Sequence, residues 1–168
     1  KSCTKTVIGV FRYDENKRPL EWIRTAARYL DFNDDTRFVV LGDGALRSAC
    51  DDLIVELGLE NRVFLAGIRS NVGFYLHRAD LMLHLARMEG LPNVLIESQL
   101  AGTPVLATPA GGTHEVVEDR ASGIVLSTAK TVPLDELDWE LSALLQDEER
   151  LKRMGAAAIY HSGERFSV

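Results

Sequence analysis

Two acidic residues eight positions apart carry the most pointed chemistry in the sequence. Glu89 precedes Gly90, Leu91 and Pro92, and Glu97 follows Val94, Leu95 and Ile96, within the stretch MEGLPNVLIESQ. A carboxylate in an apolar run costs desolvation unless a partner holds it, so Glu97 calls for one. Pro92 suits the first turn of a helix, and Asn93 and Glu97, four apart, then share a face. The start of that helix offers amides with no partner inside the helix and the positive end of its dipole. Gly90 lets a bulky anion approach the backbone. Together the two carboxylates can flank one ligand at a helix start that suits phosphate. The alternative is that Glu89 is a solvated loop residue and Glu97 caps neighbouring backbone.

A second group lies in FRYDENKRP, where Arg12 and Lys17 stand five positions apart. Two long cations there can clamp a diphosphate, Arg as a fork and Lys as a point charge. The competing reading pairs Arg12 with Asp14 or Glu15 on the surface, where an ion pair contributes little. Gly42 and Gly44 in GDG lack the third glycine of a dinucleotide fingerprint and read as a tight turn. Gly111 and Gly112 in PAGGTHE mark another loop, either a mobile ligand loop or a turn. His77, His84, His114 and His161 have no metal-ligand spacing, and His84 reads as a satisfied core residue. There is no DxD pair for a divalent ion, no GxSxG elbow, and no CxxC around Cys3 or Cys50, so no metal and no other cofactor is expected.

These residues need elements to hold them. Short runs rich in Val, Ile, Leu and Phe at 6–11, 37–41, 62–66, 81–85, 104–107 and 123–126 read as six strands. Their near-continuous apolar character points to a parallel sheet buried on both faces. Helices are expected at 19–30, 45–57, 71–77, 92–101, 115–119, 134–145 and 148–160, with Gly58 and Gly102 as C-terminal caps. The alternation implies a single Rossmann-like α/β domain of about six parallel strands with helices on both faces. Ligands of such sheets bind outside the carboxyl ends of the strands, which is where the loops of Arg12, Lys17, Gly42, Gly67, Ile68, Glu89 and Gly111 fall.

The chain of 168 residues, 46% hydrophobic and 26% charged, fits one soluble domain with one core. Its formal charge of −6 argues against nucleic acid or an anionic membrane as a partner. No apolar run is long enough to span a bilayer, and the start KSCTKTVIGVF lacks a signal peptide's apolar region and cleavage site. A cytoplasmic setting is therefore expected.

Taken together, the loops resemble the C-terminal half of a retaining glycosyltransferase of the GT-B fold, in family 4. EGLPNVLIESQLAGTPVLATPAGGTHEVV, residues 89–117, is similar to that family's E-x7-E region followed by G-x-P-V and a GG-x-x-E loop. IGVFRYDENKRP, VVLGDG, RVFLAG and the pair Ala79 and Asp80 fall in the family's order. His114 departs from it, standing where the family often has Pro. The resemblance implies that Arg12 and Lys17 clamp the diphosphate of a nucleotide-sugar donor. It implies also that Glu89 binds a hydroxyl of the sugar and Glu97 the ribose hydroxyls. Gly90, Leu91, Pro92 and Asn93 would present the helix start to phosphate, Gly67 and Ile68 would border the base, and Gly42 would line the same crevice.

The family's proteins have two Rossmann-like domains, so an N-terminal domain carrying the glycan or lipid-linked acceptor is expected outside this chain. The tail HSGERFSV resembles the start of a further element. The expected whole is a hexosyltransferase of bacterial polysaccharide or lipopolysaccharide assembly, peripheral at the inner face of the cytoplasmic membrane, with this domain alone inactive. A nucleotide-sugar epimerase of the same fold and a non-catalytic α/β module are the competing readings.

Overall fold

A computed structural model describes residues 5–166; Cys3 and the last two positions lie outside the described residues. The chain runs β1 (Lys5–Val10), α1 (Pro19–Leu30), β2 (Thr36–Leu41), α2 (Arg47–Glu56), β3 (Val63–Gly67), α3 (Val72–Arg78) and β4 (Leu81–His84). It continues through α4 (Asn93–Leu100), β5 (Val105–Ala107), α5 (Thr113–Val116), β6 (Gly123–Val125), α6 (Leu134–Leu145) and α7 (Glu148–Phe166). The six strands form one sheet, β3-β2-β1-β4-β5-β6, and every neighbouring pair is parallel. This is the Rossmann-like α/β architecture that the alternating runs predict.

Successive side chains of a strand point to opposite faces, so each strand feeds two cores. Val7, Phe38, Val40, Leu81, Leu83, Leu106 and Ile124 join Trp22, Leu137 and Leu144 on one face. Ile8, Leu41, Met82, Val105, Ala107 and Val125 join Leu76, Leu95, Ile96 and Val116 on the other. Trp22 is fully buried and its Nε1–H donates to the Leu83 carbonyl at 2.8 Å, which satisfies the indole's one polar group. β1 lies between β2 and β4, so the strand order reverses there and the carboxyl ends of β1 and β4 open a crevice.

Three local expectations are corrected. The helix expected at 115–119 sits earlier, at Thr113–Val116. Ser122 Oγ accepts the Glu118 amide and Asp119 Oδ1 accepts the Val125 amide, each at 2.9 Å, so the residues after Val117 close a loop instead. Pro92 immediately precedes α4 and does not open its first turn. The last helix runs on through HSGERF to Phe166, where the sequence suggested a new element. Phe166 packs, partly buried, against the core cluster that holds Leu95 and Ile96, and Ser162 is fully buried. Packing there outweighs the weak helix propensity of Gly163.

Candidate functional site

The crevice is built by two loops that grip each other. The loop after β1 is first fixed to its neighbour after β2. Tyr13, fully buried, donates its hydroxyl proton to the Val40 carbonyl at 3.3 Å, its amide donates to Asp43 O at 3.1 Å, and its carbonyl accepts from the Leu46 amide at 2.9 Å. Gly42 makes this approach possible. It holds φ 135°, and a Cβ there would lie 2.0 Å from the Phe11 carbonyl oxygen.

Three consecutive residues of the β1 loop then reach across to the loop after β4. Asn16 donates from Nδ2 to Met88 O at 3.0 Å, accepts the Met88 amide at Oδ1 at 2.9 Å, and its carbonyl accepts the Arg87 amide at 2.9 Å. Lys17 Nζ bonds Glu89 Oε1. Arg18 is buried, with φ 55°. Its guanidinium donates to Leu85 O at 3.0 Å, Ala129 O at 2.7 Å and Lys130 O at 2.9 Å. Backbone, charge and a buried guanidinium thus hold one register between the loops.

Glu89 is the centre of the arrangement. Its second oxygen, Oε2, lies 3.0 Å from His84 Nε2, and its side chain is only 11% exposed. Burial by itself would raise the carboxyl pKa, but the hydrogen bonds from His84 and Lys17 and their charges overcome it and lower the value to about 2. Glu89 is therefore an ionised, acceptor-only group in a half-enclosed setting. Its backbone is braced from the far side. A Cβ on Gly111, which has φ 52°, would meet the Glu89 carbonyl oxygen at 1.8 Å, and the Gly112 amide donates to Gly90 O at 2.9 Å. The PAGG segment is in this sense a buttress for Glu89.

Beyond Glu89 the chain turns into α4. Gly90, Leu91 and Asn93 are exposed, Pro92 is buried, and Pro92 O accepts the Leu95 amide at 3.0 Å. The first amides of α4 have no partner within the helix. Glu97 is exposed, and its carboxylate makes no hydrogen bond or ion pair among the described residues. Glu97 is thus not the buried carboxylate that its apolar predecessors suggest. Leu95 and Ile96 face the core while Glu97, at about 3.6 residues per turn, comes round to solvent beside Asn93.

Arg12 lies apart from the Lys17–Glu89 contact. Its side chain is 83% exposed and approaches Asp14 at 3.9 Å, the surface pairing weighed above. With Gly42, Gly44 and Ile68 it lines a cleft of about 630 Å³ at the carboxyl ends of β1, β2 and β3. Ile68 is 80% exposed in that cleft and Gly67, with φ 76°, turns the chain into it. The structure therefore joins Lys17 to Glu89, and Arg12 to Gly42 and Ile68, but does not bring both cations onto one contact. A separate cleft of about 400 Å³, lined by Lys5, Asp80 and Lys152, lies at the other end of the sheet.

Sequence reasoning passed over Asn16 and Arg18, and it read His84 as a satisfied core residue: His84 is buried, but its Nε2 meets Glu89 and its Nδ1 has no partner. A polar residue ending a buried strand was the available signal for His84, and a cation directly before Pro19 was the signal for Arg18. Neither announces its partner, because both contacts depend on how the β4 loop folds back. Among the described residues no group of three or more His, Cys, Asp or Glu could hold a metal ion. None of their helices is long and apolar enough to cross a membrane.

Residues 2–161 match the family model of glycosyl transferases group 1. The chain is 44% identical over 131 residues to the Vi polysaccharide biosynthesis protein VipC/TviE of Salmonella typhi, covering 78% of this chain and 23% of that protein. It is 35% identical over 167 residues to the D-inositol 3-phosphate glycosyltransferase of Nocardia farcinica, covering 93% of this chain and 36% of that one. Among solved structures it is similar in fold to TarM, with a TM-score of 0.90, 21% identity, and coverage of 99% of this chain and 33% of the other. It is also similar to Anabaena HepE in complex with UDP-glucose, with a TM-score of 0.83, 26% identity, and coverage of 97% and 45%. The chain thus spans less than half the length of each of these proteins. With the match running through the Lys17, Glu89 and Gly111 loops, this chain belongs to the group 1 glycosyltransferases.

Proposed function

We propose that this chain is the nucleotide-sugar-binding domain of a retaining glycosyltransferase of family 4, and that a second, acceptor-carrying domain completes the active site. One observation carries the reading. Glu89 is kept ionised between Lys17 and His84 at the point where the strand order reverses, beside an open helix start and the unpartnered carboxylate of Glu97. An ionised carboxylate accepts a sugar hydroxyl, the α4 amides and Lys17 take the diphosphate, and Glu97 takes vicinal ribose hydroxyls. Arg12, exposed on its long stem, swings from Asp14 to the phosphates, and Gly67 and Ile68 border the base at the cleft that Ile68 shares with Gly42.

No metal is needed in this scheme, because the charge that builds on the leaving diphosphate is met by Lys17, Arg12 and the helix dipole. HepE, whose complex contains UDP-glucose, supports a nucleotide-sugar donor, and the VipC/TviE likeness supports a bacterial polysaccharide as the product. The acceptor, a glycan or lipid-linked glycan, binds the second domain. Any peripheral contact with the cytoplasmic membrane belongs there too, and nucleic acid has no part.

The test is product analysis with the full-length protein. Incubated with donor and acceptor, it should form a glycoside whose proton spectrum shows the anomeric configuration of the donor. A product of opposite configuration overturns the retaining assignment, and an epimerised nucleotide sugar in place of a glycoside overturns transfer itself.

A further inference from the structure

His84 ends β4 on the face of Met82, where it is 1% exposed. A Leu or Met in that shell would leave no polar atom behind. The imidazole leaves one, since Nδ1 is buried and has no hydrogen-bond partner. Such a group is costly, and its persistence calls for a reason. The other ring nitrogen supplies one, because Nε2 lies 3.0 Å from Glu89 Oε2. A carboxylate can only accept, so the proton of that bond resides on Nε2. Nδ1 is left without a partner.

The two oxygens of Glu89 are therefore held by two different elements. Lys17 reaches Oε1 from a loop on a flexible four-carbon stem. His84 reaches Oε2 from a strand whose four residues are all buried. In the donor-site reading, on which this inference rests, Lys17 is drawn onto the diphosphate when a donor binds, and His84 is then the hold that remains. We propose that His84 is a positioning residue, which acts through Glu89 to orient that carboxylate toward the sugar of the donor and has no part in holding the nucleotide.

The consequence separates two binding increments. Calorimetry of the 168-residue chain with UDP and UDP-glucose, UDP and UDP-N-acetylglucosamine, and GDP and GDP-mannose identifies the pair with the largest gain in affinity from the sugar. For that pair, His84→Leu should leave the nucleoside diphosphate Kd within about twofold and erase a gain on the order of tenfold, the worth of one charge-assisted hydrogen bond. His84→Gln, whose amide can donate from the place of Nε2, should restore most of it.

A sugar gain unchanged in His84→Leu makes His84 a core residue only, and an equal loss for nucleotide and nucleotide sugar makes its role structural; both overturn the proposal. No sugar gain in any wild-type pair overturns it as well while leaving nucleotide binding intact, whereas no binding of any nucleotide removes the donor-site reading beneath it. A measurement independent of any variant's folding is the long-range nitrogen spectrum of wild-type imidazoles. The Nε2-protonated form of His84 is expected, and a proton on Nδ1 alone contradicts the bond.

Discussion

Glu89 is held ionised against burial, and that has a measurable price in acid. Burial would raise its carboxyl pKa from 4.5, while the bonds and charges of His84 and Lys17 lower it to about 2. A carboxyl whose folded pKa lies below its unfolded value stabilises the fold above the unfolded pKa and loses that contribution as pH falls through the folded one. Glu89→Gln should therefore be less stable than wild type at pH 7, by up to ~3 kcal/mol, and the gap should close between pH 4.5 and pH 2. Urea unfolding at several pH values measures it, and a gap that stays constant with pH contradicts the assignment. At this scale the sequence singled out Lys17 and Glu89 by their positions after strands, but not their contact with each other. It misjudged the setting of Glu97, because three apolar predecessors read as burial while a helix turns the fourth residue outward. The partner of His84 stayed hidden because no spacing rule shows a loop returning over a strand end.

The elements that carry these residues depend on close backbone approaches. Gly111→Ala would thrust a Cβ to within 1.8 Å of the Glu89 carbonyl oxygen from a left-handed conformation. We expect a loss of about 1–3 kcal/mol in thermal unfolding, together with weakened donor binding, since the buttress moves with Glu89. A variant as stable as wild type would show that the loop relaxes freely. Arg18→Ala removes three guanidinium bonds to Leu85, Ala129 and Lys130 carbonyls. A destabilisation of about 1–3 kcal/mol is expected, mostly from the Leu85 carbonyl, which is the buried acceptor of the three, and denaturant midpoints with unchanged slope check it. Strand and helix order were legible because period and length differ between the two kinds of apolar run. The boundaries of α5 and α7 were not, since side chains of Glu118–Ser122 loop contacts set one and the packing of Phe166 extended the other.

At the scale of the whole molecule, this chain supplies one side of the proposed donor site. The loops after β1, β2, β3, β4 and β5 gather on the carboxyl edge of the sheet, and the chain spans 36% of the length of its Nocardia relative. The doubly wound sheet followed from sequence pattern alone, yet which loops touch did not, because contacts between residues about 70 positions apart arise only when β1 and β4 pair. Without the other side the account expects nucleotide binding and no sugar transfer, so turnover by the 168-residue chain above background would contradict the two-domain proposal. The central claim is tested most directly by titrating UDP, GDP and ADP calorimetrically into this chain, its Glu97→Ala variant and its Lys17→Ala variant. The account predicts that one nucleotide binds the wild type and that each substitution weakens it about tenfold or more; binding that neither substitution alters, or no binding of any of the three at millimolar concentration, would contradict it.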